Sequence, residues 1–486
     1  MNWRDFHEAT KHTTESLRRS AHSLDWANMP DPFRHYEGAP VLDLPADPPA
    51  PLASSTLPQS GAGFLSQLLY YSAAISAAKR VPSTGHKYAL RVNPSSGNLH
   101  PTEFHFITNG LKDWPNGLYH YRASAHMAEQ RARGNFDAQM GRPGSPLLFL
   151  LTTAAWREEW KYRDRAYRYC LHDLGHAWQS LALAARAMGC ETSALGQFAD
   201  ERIVRVCRLP SDEWPMLMVE VRGHSTTMPL ALPDATGTTT VWSPGEPNQL
   251  SSETIDYPLV DRIHAATSVC VSEGEPPAAE PMPFGSGAIG LPPPAASTRS
   301  FGEVARRRRS ALDFQGGMLS MSLPQLSAVL HAAYQPLHAD FASARFIQLY
   351  LYIHRVDGLP AGVYRHGPQS GELELVKPGD QRVAAAGLSL GQDLAGNACV
   401  AFSMAADLER AARAFGERGY RYAFFEAGAI GQRLYLAAEA LGLQATGIGA
   451  FFDDQVHRYL ELAPEVGQVI YHFAIGHAVP DPRLEA

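Results

Sequence analysis

The feature that most restricts the fold of this chain is an internal repeat. Residues 165–200 (RAYRYCLHDLGHAWQSLALAARAMGCETSALGQFAD) lie over residues 418–453 (RGYRYAFFEAGAIGQRLYLAAEALGLQATGIGAFFD) at a constant offset of 253, without a gap, and 15 of the 36 positions are identical. Tyr167/Tyr420, Arg168/Arg421, Tyr169/Tyr422, Gly189/Gly442 and Asp200/Asp453 stay in register. Shared helix composition would not keep glycines and an RxYRY segment in step over that length, so the chain is two copies of one unit. Each repeat block reads as a long helix that stops at a glycine. Strand-like runs precede it in FHFIT (104–108), GLYHY (117–121) and LLFLLTT (147–153), and GVYRH (362–366) matches GLYHY. The unit is therefore α+β, with one copy at 61–228 and the other at 299–486. Residues 1–60 alternate charged and proline-rich pieces and read as an extended N-terminal arm. Residues 229–298, rich in Pro, Gly, Ser and Thr, read as a linker.

Composition removes several function classes. The 486 residues are 45% hydrophobic and 19% charged, a normal balance for a folded globular protein. A net charge of −7 offers no basic field for nucleic acid or an anionic membrane surface. No stretch reaches the roughly 18 apolar residues of a membrane span. The five scattered cysteines form no CxxC pair, which points to reduced thiols and a cytoplasmic setting. The N-terminal MNWRDFHEATKH lacks the apolar core of a signal peptide.

Two suggestive motifs fail on context. Gly285, Gly287 and Gly290 spell GxGxxG, but they sit between proline-rich pieces rather than between a strand and a helix. His172 and His176 approximate a zinc HExxH, yet Asp173 holds the general-base position, and Phe425 and Ala429 stand at the matching histidine positions of the second copy. No metal site is expected.

Two segments carry chemistry. Arg91-Val-Asn-Pro94-Ser95-Ser96-Gly97-Asn98 makes a polar turn readily, but it also offers two hydroxyls, a carboxamide and close backbone to a flat heterocycle. Glu303-Val-Ala-Arg-Arg-Arg308-Arg309-Ser310 reads either as a solvated helix face or as a phosphate site that combines guanidinium and hydroxyl donors.

Taken with Gly447-Ile448-Gly449 after the second long helix, and with Lys161-Tyr162 ahead of Arg165–Tyr169, these pieces resemble the FMN-dependent nitroreductase superfamily. They are most similar to its thiazole- and oxazole-forming, SagB-type dehydrogenases. The resemblance covers about 60–228 and 299–486. It implies a nitroreductase fold and an FMN cofactor held between two subunits. The Arg-x-Ser and glycine turn would come from one subunit and the Pro-Ser-Ser-x-Asn loop from the other. Here the loop occurs only in the first copy, since the second reads FASARFIQLYLY in its place. The Arg-Arg-Ser segment occurs only in the second, since the first reads GFLSQLL there. The surviving halves are complementary and imply an intramolecular pseudo-dimer with one complete site. Its cofactor set would be Arg91, Pro94, Ser95, Ser96, Asn98, Arg308, Arg309, Ser310, Gly447, Ile448 and Gly449. Leu312 stands where the family often has a cation, and Arg91 is the candidate replacement.

By the same resemblance Lys161 is the expected catalytic base for azoline oxidation, with Tyr162 beside it, on a small-molecule or peptide substrate. Ala414 and Phe415 take their places in the second copy. An exposed polar run, REEWKYRDR, is the plain alternative. Three functions stay open: an azoline-type dehydrogenase, an NAD(P)H-dependent nitro- or quinone reductase, and a flavin-binding partner without catalysis in a biosynthetic complex. Association beyond the internal pairing is also open.

Overall fold

The computed structural model describes residues 1–19, 23–45, 58–231, 239–270, 287–342 and 345–485. The chain opens with α1 (Trp3–Ala9) and α2 (Thr14–Arg19). The first copy continues through α3 (Gly61–Tyr70), a hairpin of β1 (Ile75–Arg80) and β2 (Lys87–Arg91), then β3 (Thr102–Thr108), β4 (Gly117–Arg122), β5 (Met127–Arg133) and β6 (Leu147–Thr153). It closes with α4 (Trp156–Tyr162), α5 (Ala166–Ala187), β7 (Glu191–Leu195), α6 (Asp200–Cys207) and β8 (Trp214–Arg222). After α7 (Pro258–Ser268) the second copy adds α8 (Phe301–Arg307) and α9 (Leu323–Ala333). Next come β9 (Ile347–Ile353), β10 (Gly362–Gly367), β11 (Glu372–Pro378), α10 (Arg382–Leu388) and α11 (Asp393–Asn397). It ends with β12 (Val400–Ala406), α12 (Leu408–Phe415), α13 (Gly419–Ala440), β13 (Gln444–Ile448), α14 (Asp453–Leu460) and β14 (Gln468–Gly476).

The two main sheets share one topology. The first runs β5-β4-β3-β6-β8-β7 and the second β11-β10-β9-β12-β14-β13, all antiparallel, with strands of two or three residues added at the edges. The register fixes the correspondence: Thr102 faces Thr153 and Ile347 faces Ala406, which is Thr153 plus 253. Central strands such as LLFLLTT are buried along their whole length, so they read as continuous apolar runs rather than alternating ones.

The repeat exists because the copies grip each other. Helices α5 and α13 cross at Gly175 and Gly428. A Cβ on Gly175 would stand 2.3 Å from the Phe425 carbonyl oxygen, and one on Gly428 2.2 Å from that of His172. Beside the crossing lie two reciprocal buried clamps. Asp453 accepts from Arg165 at 3.0 Å and Arg168 at 2.9 Å, while Asp200 accepts from Arg418 at 2.7 Å and Arg421 at 2.8 Å. Each clamp joins one copy to the other, so the RxYRY arginines and the block-ending aspartates must stay in step.

The arm, expected to be extended, and the linker each contribute a packed helix. Trp3 and Phe6 of α1 are buried, and Asn2 and Asp5 form a capping box at its start. Arg168 donates to the His7 carbonyl and to Thr10 Oγ1, which roofs the Asp453 clamp. Helix α7 roofs the other clamp in the same way: Arg418 donates to the Thr267 carbonyl and Arg421 to Thr267 Oγ1. His7-Glu-Ala-Thr10 and His264-Ala-Ala-Thr267 are thus counterparts, and the repeat reaches into both segments. Helix α3 packs on α5 as α9 packs on α13. GFLSQLL is therefore the partner of α9, and α8 has no counterpart among the described residues of the first copy. Of the glycines in GxGxxG, Gly285 lies outside the described residues, and Gly290 pairs with Glu372 at a sheet edge.

Candidate functional site

At the junction of the copies lies a cavity of about 290 Å³. The first copy lines it with Pro94–Gly97, Tyr162, Tyr169, Asp173 and His176, and the second with Ser310, Gln392, Tyr435, Thr446–Ala450 and Tyr471. The loop 94–98 turns through Gly97 (φ 59°) and Asn98 (φ 62°), both left-handed, a conformation that glycine and asparagine adopt most readily. Asp173 holds the loop from α5. It accepts from Ser95 Oγ at 2.6 Å, Ser96 N at 2.9 Å and Ser96 Oγ at 2.9 Å. Burial pushes this carboxyl up, the serine donors oppose it, and the result is about 6.

The opposite wall is the glycine turn. Gly447 N donates to Tyr435 Oη at 2.9 Å, and Ser310 Oγ lies 2.9 Å from the same oxygen. A Cβ on Gly447 would meet Tyr471 Oη at 2.0 Å, and one on Gly449 the Tyr169 ring at 2.1 Å, so both positions require glycine. His176 Nε2 pairs with Tyr471 Oη at 3.1 Å, and burial pulls the imidazole down to about 3, leaving it neutral.

Of the residues expected at the site, Pro94, Ser95, Ser96, Tyr162, Ser310, Gly447, Ile448 and Gly449 line the cavity. The others are brought close without lining it. Arg91 is buried against the Phe33 ring and donates to the Pro32 carbonyl at 2.6 Å. Asn98 Nδ2 donates to the Ala89 carbonyl at 3.0 Å. Arg309 is spent on Ser76 and on carbonyls of its own segment. Arg308 reaches across the copies to the carbonyls of Val92 (2.9 Å) and Arg91 (3.1 Å), and lies 5.1 Å from the Tyr435 ring. It thereby pins the strand that feeds the loop, and its Nη1 has no partner among the described residues. Lys161 stands at the cavity edge: a Cβ on Gly97 would lie 2.9 Å from its Nζ and 2.8 Å from Tyr162 Oη. Burial lowers the Lys161 pKa, with Glu158 opposing, and burial raises that of Tyr162.

Sequence reading missed Tyr169, Asp173, His176, Tyr435 and Tyr471. The first three recur at i, i+4 and i+7 on α5, a spacing that puts them on one helix face. His172 is instead stacked between Tyr471, at 4.2 Å, and Phe424, at 4.8 Å.

The pseudo-equivalent site is closed. By the strand register Ser95 and Ser96 correspond to Asp340 and Phe341. Asp340 accepts from Gly196 N at 2.8 Å and Gln197 N at 3.1 Å. Phe341 stacks on Tyr422 at 4.2 Å and 7°. Gly196, Gln197 and Tyr422 match Gly449, Ala450 and Tyr169 at the offset of 253. Among the described residues no side chain accepts from the N–H groups of Gly449 and Ala450, which line the open cavity. Ala414 and Phe415, opposite Lys161 and Tyr162, are buried apolar residues of α12.

Comparison with known proteins agrees with this architecture. The Nitroreductase family model matches twice, at residues 72–224 and 305–477. A nitroreductase-family protein of Methanocaldococcus jannaschii, MJ1384, is 29% identical over 167 residues, 33% of this chain and 83% of that protein. The trifolitoxin-processing protein TfxB of Rhizobium leguminosarum bv. trifolii is 27% identical over 139 residues, 26% of this chain and 37% of TfxB. The crystal structure of a nitroreductase-family protein from Anabaena variabilis superposes with a TM-score of 0.80 at 26% identity, covering 98% of this chain and 99% of that one. With two family matches on two copies of one α+β unit, the chain belongs to the Nitroreductase family and has its fold in tandem.

Proposed function

We propose that the chain is an FMN-dependent oxidoreductase that holds one cofactor in the open cavity and dehydrogenates an azoline or related C–N bond in a peptide-derived substrate. The observation that carries this reading is the contrast between the two pockets. Asp340 and Phe341 fill one of them with an oxygen acceptor on two backbone N–H groups and a flat ring on a tyrosine. The open pocket keeps the same N–H groups and tyrosine and adds Lys161 and Tyr162 at its edge. A flavin ring, flat and edged with carbonyl oxygens, fits that donor set. Tyr169, Gly449 and Ala450 would hold the ring, and Ser310 with Arg308 Nη1 would serve the phosphate. FMN, when bound, supplies a two-electron acceptor.

The residues of the chain supply position and proton transfer. Asp173 fixes the loop through Ser95 and Ser96. Tyr162 packs on Tyr169 with ring centroids 4.3 Å apart, closing the cavity beside Lys161. Lys161, its pKa lowered by burial, takes a proton from the substrate carbon next to the C–N bond. The similarity to TfxB, a trifolitoxin-processing protein, supports a peptide-derived substrate.

Flavin released from the purified chain and measured against protein tests the cofactor assignment. One FMN per chain is expected, and two would defeat the single-site reading. Anaerobic mixing tests the reaction: an azoline-containing peptide should bleach the flavin within one turnover. Rapid bleaching by NADPH alone would favour the reductase instead.

A further inference from the structure

We propose that Glu158 and Asp173 form a one-proton carboxyl pair that leaves Lys161 without a counter-ion at the cavity edge. The proposal deepens the assignment of Lys161 as the base and rests on it. Glu158 and Lys161 are three residues apart on α4 and share a helix face. Glu158 is 0% exposed, no N–H or hydroxyl donor among the described residues satisfies its oxygens, and the group it faces is the carboxyl of Asp173. An ionised carboxylate buried without donors is costly, and protonation removes the cost. Asp173 is in the opposite condition. Three donors from Ser95 and Ser96 converge on its oxygens and favour the ionised form.

The two carboxyls are close enough for each to act on the other. Glu158 is pushed well above its ordinary range by burial and then by Asp173, with Lys161 and Arg157 opposing. The pair therefore carries one negative charge, and that charge sits on Asp173, tied into the loop. The charged and titratable groups around Glu158 are Arg157, Lys161 and Tyr162 on α4 and Cys170 and Asp173 on α5. Arg157 is committed elsewhere, with Nη1 on Glu103 at 2.5 Å and on the His100 carbonyl at 2.7 Å. Glu158 is the acid that acts on Lys161, and when it is uncharged nothing offsets the desolvation of the amine.

The test needs neither substrate nor turnover. The full chain as purified is labelled with trace acetic anhydride across about pH 6–11, a range that brackets a lowered and an ordinary lysine. Lys161 is read by peptide mass spectrometry against the other five lysines. In the wild type Lys161 should titrate below the others. Glu158→Gln, an uncharged isostere, should move its midpoint by less than about half a unit. Burial of Glu158 stays in Asp173→Asn, but the negative charge that adds to it is removed, so the Glu158 carboxyl falls and Lys161 gains a share of a counter-ion. Its labelling at neutral pH should fall about tenfold, one pKa unit, and the Glu158→Gln/Asp173→Asn double variant should restore it. Loop damage alone would not be rescued. A drop of a unit or more in Glu158→Gln would show that Glu158 was already the charged partner and would overturn the proposal. An unchanged Asp173→Asn, or a double variant without rescue, would overturn it as well. If Lys161→Ala kept full turnover while the labelling pattern held, the base assignment would fail and the pair would stand.

Discussion

In the open pocket Ser95 and Ser96 turn back onto Asp173, whereas in the closed pocket Asp340 and Phe341, at the same register, turn inward onto Gly196 and Tyr422. The acidic position on the long helix is kept in both copies but grips differently. Glu426, the counterpart of Asp173, accepts from Phe346 N at 2.9 Å and Ile347 N at 3.3 Å, further along the chain. Two hydroxyls can be satisfied by one carboxylate, so the first loop lines the cavity without filling it. An aspartate at the same place needs N–H donors of its own and finds them in the facing glycine turn, bringing the phenyl ring with it. One side-chain exchange per position therefore separates an open cavity from a packed core.

The sharpest way to break this comparison is at the residues only the open pocket has. Lys161→Ala should slow single-turnover flavin bleaching roughly 10²–10⁴-fold, the usual loss for a positioned base, while bound FMN and its visible spectrum stay nearly intact. Unchanged rates would leave Lys161 and Tyr162 as wall residues of the cavity without a part in proton transfer.

The clamps give the next largest effect. Asp453→Asn and Asp200→Asn each leave two buried arginines under-paired and should each lose about 3–5 kcal/mol in denaturant unfolding. Only Asp453→Asn should also release flavin, because Arg165 bonds the Gly449 carbonyl at 3.3 Å. Arg418 instead holds the Gly196 carbonyl of the closed pocket, at 2.8 Å. Equal flavin loss in both variants would show that the pockets are not distinct in this way. The Asp453 clamp has a pH signature too. Burial pushes its carboxyl up, but Arg165 and Arg168 outweigh burial and hold it well below the ordinary 3.8. A depressed acid stabilises the fold above its unfolded value, so this contribution is present above about pH 4 and lost as pH falls further. Acid unfolding of Asp453→Asn should lack that loss.

The smallest effect belongs to the internal stand-in. Asp340→Asn keeps one acceptor for two N–H groups and should cost about 1–3 kcal/mol, the range for a buried group left unsatisfied. FMN should remain at one per chain. A second flavin in this variant would mean that Asp340 alone, rather than Phe341 with it, closes the second site.

Much of this was legible in the residues. The 253-residue offset gave the copy number; the Pro-Ser-Ser loop and Ser310 stood out by local pattern and the glycine turn by family resemblance, and all three line the cavity. His7-Glu-Ala-Thr10 and His264-Ala-Ala-Thr267 were also present to be read, but four residues at a different offset are a weak signal amid proline-rich sequence. Arg91 and Asn98 looked like ligands because they are polar and flank or belong to the loop, and Arg309 because it sits in the arginine run before Ser310. Their heads are instead committed to Pro32, Ala89 and Ser76. Asp173 was passed over as part of a failed metal motif.

The residues alone established that there are two copies and that the Pro-Ser-Ser loop occurs in one of them, whereas GFLSQLL, read as the place of the missing Arg-Arg-Ser segment, is the counterpart of α9. The copies were legible because interlocking contacts, such as a glycine crossing and an aspartate on two arginines, tie residue identity to position. Only the tertiary structure decided which polar groups face the cavity. That choice depends on partners far apart in the chain, such as Asp173 for Ser95 and Val92 for Arg308, and a local pattern carries no record of them.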